Sequence, residues 1–331
     1  MADGESADIA CRVLITRICW NPDHLTHNPA QCLTRLETHC SRGMINCTQR
    51  TSRSSRYDAR CRTLWDRRDG LPVEKVGSWA KDKLLIVGAY IQISGATRRK
   101  YRENQPAFID VFCGPGRSLI RTNGEYIDGS PVTAFKQGSN SAERFATIEI
   151  SDAEPELLAA ATTRLQKLQA PVRATPGPAV KAIAKVVSSL NQYGLHFALL
   201  DPHNLGALSF SLIQQLAKLR HIDILVHVSV SDLQRNADLY SSDVQRQFDE
   251  FAPEWRKHVS LDANLQSVRA SIIEYWSGLV ERLGLPRAKH TELIKGPGNQ
   301  RLYWLMLLSK HSRAHEFWEK ITSVARQPTM L

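Results

Sequence analysis

The stretch Phe108-Ile109-Asp110-Val111-Phe112-Cys113-Gly114-Pro115-Gly116-Arg117 runs from apolar residues through an acid into a glycine turn. A short apolar run bounded by breakers has the pattern of a buried parallel strand. Gly114 and Gly116 carry no Cβ, so the backbone there can bend tightly and let a ligand come close. In a doubly wound sheet such a turn holds a nucleoside cofactor at the carboxyl ends of the strands. A dinucleotide site wants Gly-x-Gly-x-x-Gly running straight into a helix. Here two glycines are followed by Arg117 to Glu125 before the next helix, which fits S-adenosylmethionine better. Asp110, Phe112, Gly114 and Gly116 are therefore expected to shape a cofactor pocket.

Two further segments belong to that expectation. Glu149 ends the next apolar run, where a carboxylate can accept hydrogen bonds from both ribose hydroxyls. Ser130, in Asp128-Gly129-Ser130-Pro131, is expected to cap a helix whose free N–H groups suit the carboxylate of a methionine moiety. The candidate for chemistry is Ala198-Leu199-Leu200-Asp201-Pro202-His203-Asn204. Amino-methylating enzymes carry Asp/Asn-Pro-Pro-aromatic at the end of the corresponding strand, where the acidic or amide oxygen orients the target amine. Asp201 and Pro202 fit that pattern, whereas His203 and Asn204 depart from it. His203 could stack on a base or act as a general base. A metal-dependent nuclease would need a carboxylate cluster, for which Asp110, Asp201 and Asp223 are the available residues. A cysteine nucleophile of the Pro-Cys kind is absent from the chain, and so is a Walker loop.

Elements that would position these residues can be read from periodicity. Trp79, Leu84, Val87 and Ile91 recur at helical spacing, with Leu85, Ile86 and Tyr90 widening the face. Strands are expected over 108–112, 145–150, 172–174, 195–200, 222–230 and 301–309. Helices are expected from Ser130, over 155–168, over 179–190 with Val180, Ile183, Ala184 and Val187 inward, over 210–219 and over 314–325. Residues 232–290 read as a mostly helical insertion or cap. Alternation of strand and helix implies an α/β fold with helices on both faces of a parallel sheet.

Composition sets the outer bounds. The chain has 331 residues and a formal net charge of +10, which favours an acidic partner such as nucleic acid. No apolar run is long enough to span a bilayer and no secretory pattern opens the chain, so a cytoplasmic location with no membrane partner is expected. Six of the seven cysteines fall in the first 61 residues. Their spacing with His24, His27 and His39 matches no standard zinc finger, and no metal is expected. Residues 1–64 contain no lysine and little periodicity, and read as an irregular extension ahead of one domain over 65–331.

The order Trp79-Ala80-x-x-Lys83, Phe108 to Arg117, Asp128-Gly129-Ser130-Pro131, Ile148-Glu149, Leu199-Leu200-Asp201-Pro202 and Leu302-Tyr303-Trp304 resembles the three-Cys-motif partner proteins. The resemblance covers roughly residues 65 to 326. It implies a Rossmann-like class I methyltransferase sheet, S-adenosylmethionine as cofactor, and a radical-SAM-like three-Cys-motif protein as partner. The expected activity is methyl transfer to a nucleic-acid amine, with Asp201, Pro202 and His203 at the reacting centre. The alternative is a non-catalytic partner subunit that keeps the fold.

Overall fold

The computed structural model describes residues 63–235, 246–262 and 264–325. The chain divides into two units, Met1–Cys61 and Arg62–Leu331. The first lies outside the described residues, and with it almost all of the expected extension and its cysteines. The second begins its regular structure earlier than the expected boundary after residue 64, because Thr63 already opens a strand.

In chain order the elements are β1 (Thr63–Asp66), β2 (Leu71–Val76), α1 (Trp79–Arg99), β3 (Ala107–Asp110), β4 (Arg117–Ile120), β5 (Tyr126–Asp128), α2 (Ser130–Ser139), β6 (Thr147–Ile150), α3 (Pro155–Lys167) and β7 (Val172–Ala174). There follow α4 (Ala179–Ser189), β8 (Leu195–Leu200), α5 (Phe210–Leu216), β9 (His221–Ser229), α6 (Val230–Arg235), α7 (Arg246–Phe251), α8 (Trp255–His258) and α9 (Leu265–Arg282). The unit closes with β10 (Glu292–Lys295), β11 (Arg301–Ser309) and α10 (Ser312–Ala325).

Seven strands form the main sheet in the order β10-β11-β9-β8-β3-β6-β7. Strands β7, β6, β3, β8 and β9 are mutually parallel, and β11 runs antiparallel between β9 and β10. This is a Rossmann-like α/β sheet, mostly parallel with helices on both faces. Its central strands are buried on both faces, as the near-continuous apolar run Leu195–Leu200 requires. Side chains alternate between two cores: Ile109, Ala198, Leu200, Ile224 and Val226 face α4, α5 and α7 to α9, while Phe108, Phe197, Leu199 and Leu225 face α1, α2, α3 and α10.

Several boundaries differ from the sequence reading. β3 stops at Asp110 because the backbone beyond it turns to serve the acid. The buried face of α4 is Ala179, Ala182, Ile183, Val186 and Val187, one position round from the expected stripe, and Val180 is exposed. Leu85, expected to widen the α1 face, is 70% exposed. A second sheet, β1-β2-β4-β5, occupies the stretch between the glycine turn and α2 together with residues 63–76.

His196 marks how tightly the centre is closed. Its Nδ1 accepts the Ala107 N–H at 3.1 Å and its other ring nitrogen meets the Asn191 carbonyl at 2.8 Å, so a neutral ring bridges two segments. Burial pushes the imidazole down to about 4. Between about 6.5 and 4 the folded chain therefore binds fewer protons than the unfolded one. The contribution is complete above about pH 6.5 and is lost as pH falls towards 4. Urea unfolding at pH 7 and pH 4 should show a loss of about 3 kcal/mol from this ring, and His196→Gln should flatten that difference while lowering stability at pH 7.

Candidate functional site

Asp110 is fully buried at the end of β3. Its Oδ1 accepts the Phe112 N–H at 3.1 Å, and the Ser130 hydroxyl donates to its Oδ2 at 2.6 Å. Burial pushes the carboxyl up to about 7 against the pull of those two donors. The bond to Ser130 corrects the expected cap: Gly129 holds the N-cap position, Ser130 is the first helical residue, and its hydroxyl serves the acid below instead of a backbone N–H. A buried carboxylate left short of donors costs more than helix-end N–H groups that a ligand or water can satisfy.

The turn above Asp110 is fixed on several sides. Gly114 and Gly116 have φ of 53° and 75°, the left-handed region in which glycine is unstrained. Gly114 N–H donates to Asp152 Oδ2 at 2.9 Å, and Gly129 N–H donates to the Gly116 carbonyl at 2.9 Å. Arg164 of α3 donates to the Pro115 carbonyl at 2.6 Å and the Pro72 carbonyl at 2.7 Å, and pairs with Asp69. One guanidinium thus ties the turn to the small sheet.

A cleft of about 320 Å³ opens over this turn. Its floor is Phe112 to Gly116 with Ser130, and its far side is Asp201, Pro202 and His203 after β8. Most of the expected site residues therefore meet in one place. α1 contributes Trp79 and Lys83, β2 contributes Glu74, β9 contributes His227 and β11 contributes Tyr303. The Trp79 indole lies against Gly77, where a Cβ would fall 2.1 Å from the ring and force it to move.

Asp201 organises the far side. Lys83 Nζ bonds its Oδ2, and His227 Nδ1 lies 2.7 Å from its Oδ1. Burial alone would raise the carboxyl; the Lys83 ammonium and then His227 overcome it and hold Asp201 well below the usual carboxylate range. The Tyr303 ring packs on the His227 ring with centroids 3.9 Å apart. Tyr303 is 5% exposed and its hydroxyl has no hydrogen-bond partner among the described residues. Glu74 lies against Gly114, and no described residue hydrogen-bonds its carboxylate. Burial pushes that carboxyl up, His203 pulls it down and Asp152 adds to the rise.

Glu149, expected at the ribose, is not brought to the cleft. It is 2% exposed and its Oε1 is held by Arg173 of β7 at 2.8 Å. Its strand position turns it onto the face opposite Ile148 and Ile150, whereas the carboxylates nearest the glycine turn are Glu74 and Asp152. Asn204 caps a short turn by accepting the Ala207 N–H at 2.9 Å, which leaves His203 exposed at the mouth. The carboxylate cluster of a nuclease is not formed. Asp223 lies towards the amino end of β9, bound by Tyr90 at 2.8 Å and Ser309 at 2.6 Å. Among the described residues no three His, Cys, Asp or Glu side chains stand together as metal ligands, and no helix is long and apolar enough to cross a membrane.

Sequence reasoning missed the roles of Glu74, Lys83, His227 and Tyr303. The readable signal for His227 is a polar residue breaking the apolar run from Ile224 to Val228, on the same side as Leu225. Glu74 gave no comparable signal.

No family model matches the chain, and no curated protein matches its sequence. Among solved structures, an O-methyltransferase from Bacillus cereus in complex with SAH is 10% identical with a TM-score of 0.43, covering 87% of this chain and 94% of its own. TYW2 from M. jannaschii in complex with AdoMet is 8% identical with a TM-score of 0.36, covering 75% and 85%.

Two substitutions test this geometry. A Cβ at Gly129 would fall 2.7 Å from the Gly116 carbonyl carbon. Gly129→Ala should therefore cost about 1–3 kcal/mol in urea unfolding, because backbone and not a flexible tip must move. Tyr303→Phe should leave stability within about 0.5 kcal/mol of the parent or raise it, since it removes a buried donor with no partner.

Proposed function

We propose that this chain is an S-adenosylmethionine-dependent methyltransferase whose cofactor lies over the Gly114–Gly116 turn. One observation carries the reading. The loops leaving β3 and β8, neighbours at which the parallel strand order reverses, line a single cleft. Ligands of open α/β sheets bind at that switch point, outside the carboxyl ends of the strands.

The residues present suit the group. Glu74 is a desolvated carboxylate without a donor, beside a turn that has no side chain at Gly114. It would accept from cofactor hydroxyl or ammonium groups. The first-turn N–H groups of α2 suit a ligand carboxylate. When bound, the cofactor supplies a methyl group on a cationic sulfur. The protein's part is to hold acceptor and methyl group in line, with Trp79, Phe112 and Tyr303 as walls. The acceptor expected from Asp201-Pro202, a nucleic-acid amine, would need the Asp201 oxygens. Lys83 and His227 already hold both, so the proposed activity is methyl transfer without commitment to an amine.

Isothermal titration of the full chain with S-adenosylmethionine should show saturable binding. Glu74→Gln should weaken it about tenfold or more, the loss of roughly 1.4 kcal/mol expected for a hydrogen bond to a charged group, with the melting temperature unchanged. Glu149→Gln should leave the affinity unchanged. Absence of binding at millimolar cofactor would reject the enzyme and favour the non-catalytic subunit.

A further inference from the structure

We propose that His227, oriented by Asp201, is the proton acceptor for methylation of an aromatic hydroxyl. The inference rests on the cofactor reading above and adds the substrate class. His227 Nδ1 faces Asp201 Oδ1 at 2.7 Å, and the other ring nitrogen has no hydrogen-bond partner among the described residues. An ionised carboxylate accepts only, so it selects the tautomer with the proton on Nδ1 and leaves Nε2 with a bare lone pair. A carboxylate, an imidazole it orients and a free ring nitrogen form the base half of an acyl-transfer triad. Here the cleft that the imidazole lines is the one formed by the glycine turn.

The acceptor's chemistry follows from what surrounds that nitrogen. A neutral amine attacks with a lone pair it already has, so a base is dispensable to its attack. A hydroxyl oxygen becomes a strong nucleophile as its proton leaves. A base positioned at the hydroxyl can take a phenol's proton as its oxygen attacks. A carboxylate-oriented imidazole also takes the proton of an alkyl hydroxyl in acyl transfer, so it is the lining of the cleft that selects an aromatic acceptor. Trp79, Phe112 and Tyr303 provide the flat apolar walls that an aromatic ring would fill. The partnerless Tyr303 hydroxyl is a donor available to the acceptor oxygen. Lys83, bonded to Asp201, keeps ammonium protons that can face a developing phenolate.

In the step, the acceptor O–H breaks and its proton moves to His227 Nε2. The oxygen pair forms the new O–C bond, and the S–C bond breaks with its electrons staying on sulfur, which becomes neutral. The imidazolium beside Asp201 then returns its proton to water. The charged or titratable groups that line the cleft with His227 are Glu74 and Lys75 of β2, Lys83 of α1, Cys113 of the turn, Arg121 after β4, Asp201 and His203 after β8, and Tyr303 of β11.

The test has two arms on the full chain. In the first, nitrogen-15 NMR of histidine-labelled protein, assigned with His227→Gln, reads the ring at pH 8. The expected result is a neutral ring with its proton on Nδ1, an arrangement lost in Asp201→Asn; a proton on Nε2 would overturn the proposal. In the second, labelled S-adenosylmethionine is supplied with a pool of phenols and catechols, or with total RNA, and methylated products are identified by mass spectrometry. The expected product is a methyl ether of a phenol. Its rate should rise with pH to a plateau and fall at least 100-fold in His227→Gln. A product methylated on nitrogen, or an ether formed equally fast by His227→Gln, would overturn the proposal. Absence of any product would overturn it too, and calorimetric binding of the cofactor would then show whether the cofactor reading survives.

Discussion

A single buried carboxylate holds the architecture of the site together. Asp110 has no access to water, and both of its oxygens are satisfied by groups that must stay where they are: the Phe112 amide and the Ser130 hydroxyl. A carboxyl group in such surroundings is expensive without donors. The fold therefore fixes three things at once, the end of β3, the start of the glycine turn and the first residue of α2. With those pinned, the chain can leave at Arg117, build β4 and β5, and return at Gly129 without loosening the turn. The 2.9 Å bond from Gly129 to the Gly116 carbonyl closes that excursion.

The same economy governs charge around the cleft. Asp201 would be raised by burial, yet its two oxygens meet Lys83 and His227, and the acid stays ionised. Glu74, a short way off, is desolvated without such partners and is pushed the other way. Two carboxylates lining one cavity are thus pushed in opposite directions by their surroundings. Arg164 supports this arrangement from outside the cavity, joining Asp69, the Pro72 carbonyl and the Pro115 carbonyl. Position 74 is thereby carried on a sheet that shares a guanidinium with the turn it faces.

Much of the main sheet was legible because its signals are local. Leu195 to Leu200 is an apolar run interrupted only by His196 that ends at Asp201-Pro202, and the observed strand has those bounds. Pro131 and Pro155 mark helix starts for reasons of backbone chemistry alone. The small sheet was not legible. Its strands are three to six residues long and only partly buried, and β2 pairs with β4 through Glu74 and Ser118, far apart in the chain. The site divided along the same line. Residues next to breakers at strand ends could be named, whereas the Lys83–Asp201 pair joins positions 118 apart and exists only once α1 lies across the sheet. Glu149 misled because a strand-end acid is only a candidate until its side of the sheet is known. One residue nearer or farther along β6 would have turned it to the other face.

The antiparallel insertion of β11 between β9 and β10 has a consequence for how the protein comes into being. A ribosome releases the amino end first, and the parallel part of the sheet, with Asp201 and His227, emerges well ahead of Tyr303. Until the last strand arrives, β9 is a bare edge with unpaired amide and carbonyl groups, open to pairing with the wrong chain. The nascent polypeptide thus carries a nearly finished basin with one side missing. Whatever protects that edge in the interval, a chaperone or simply speed, decides how much of the product is competent.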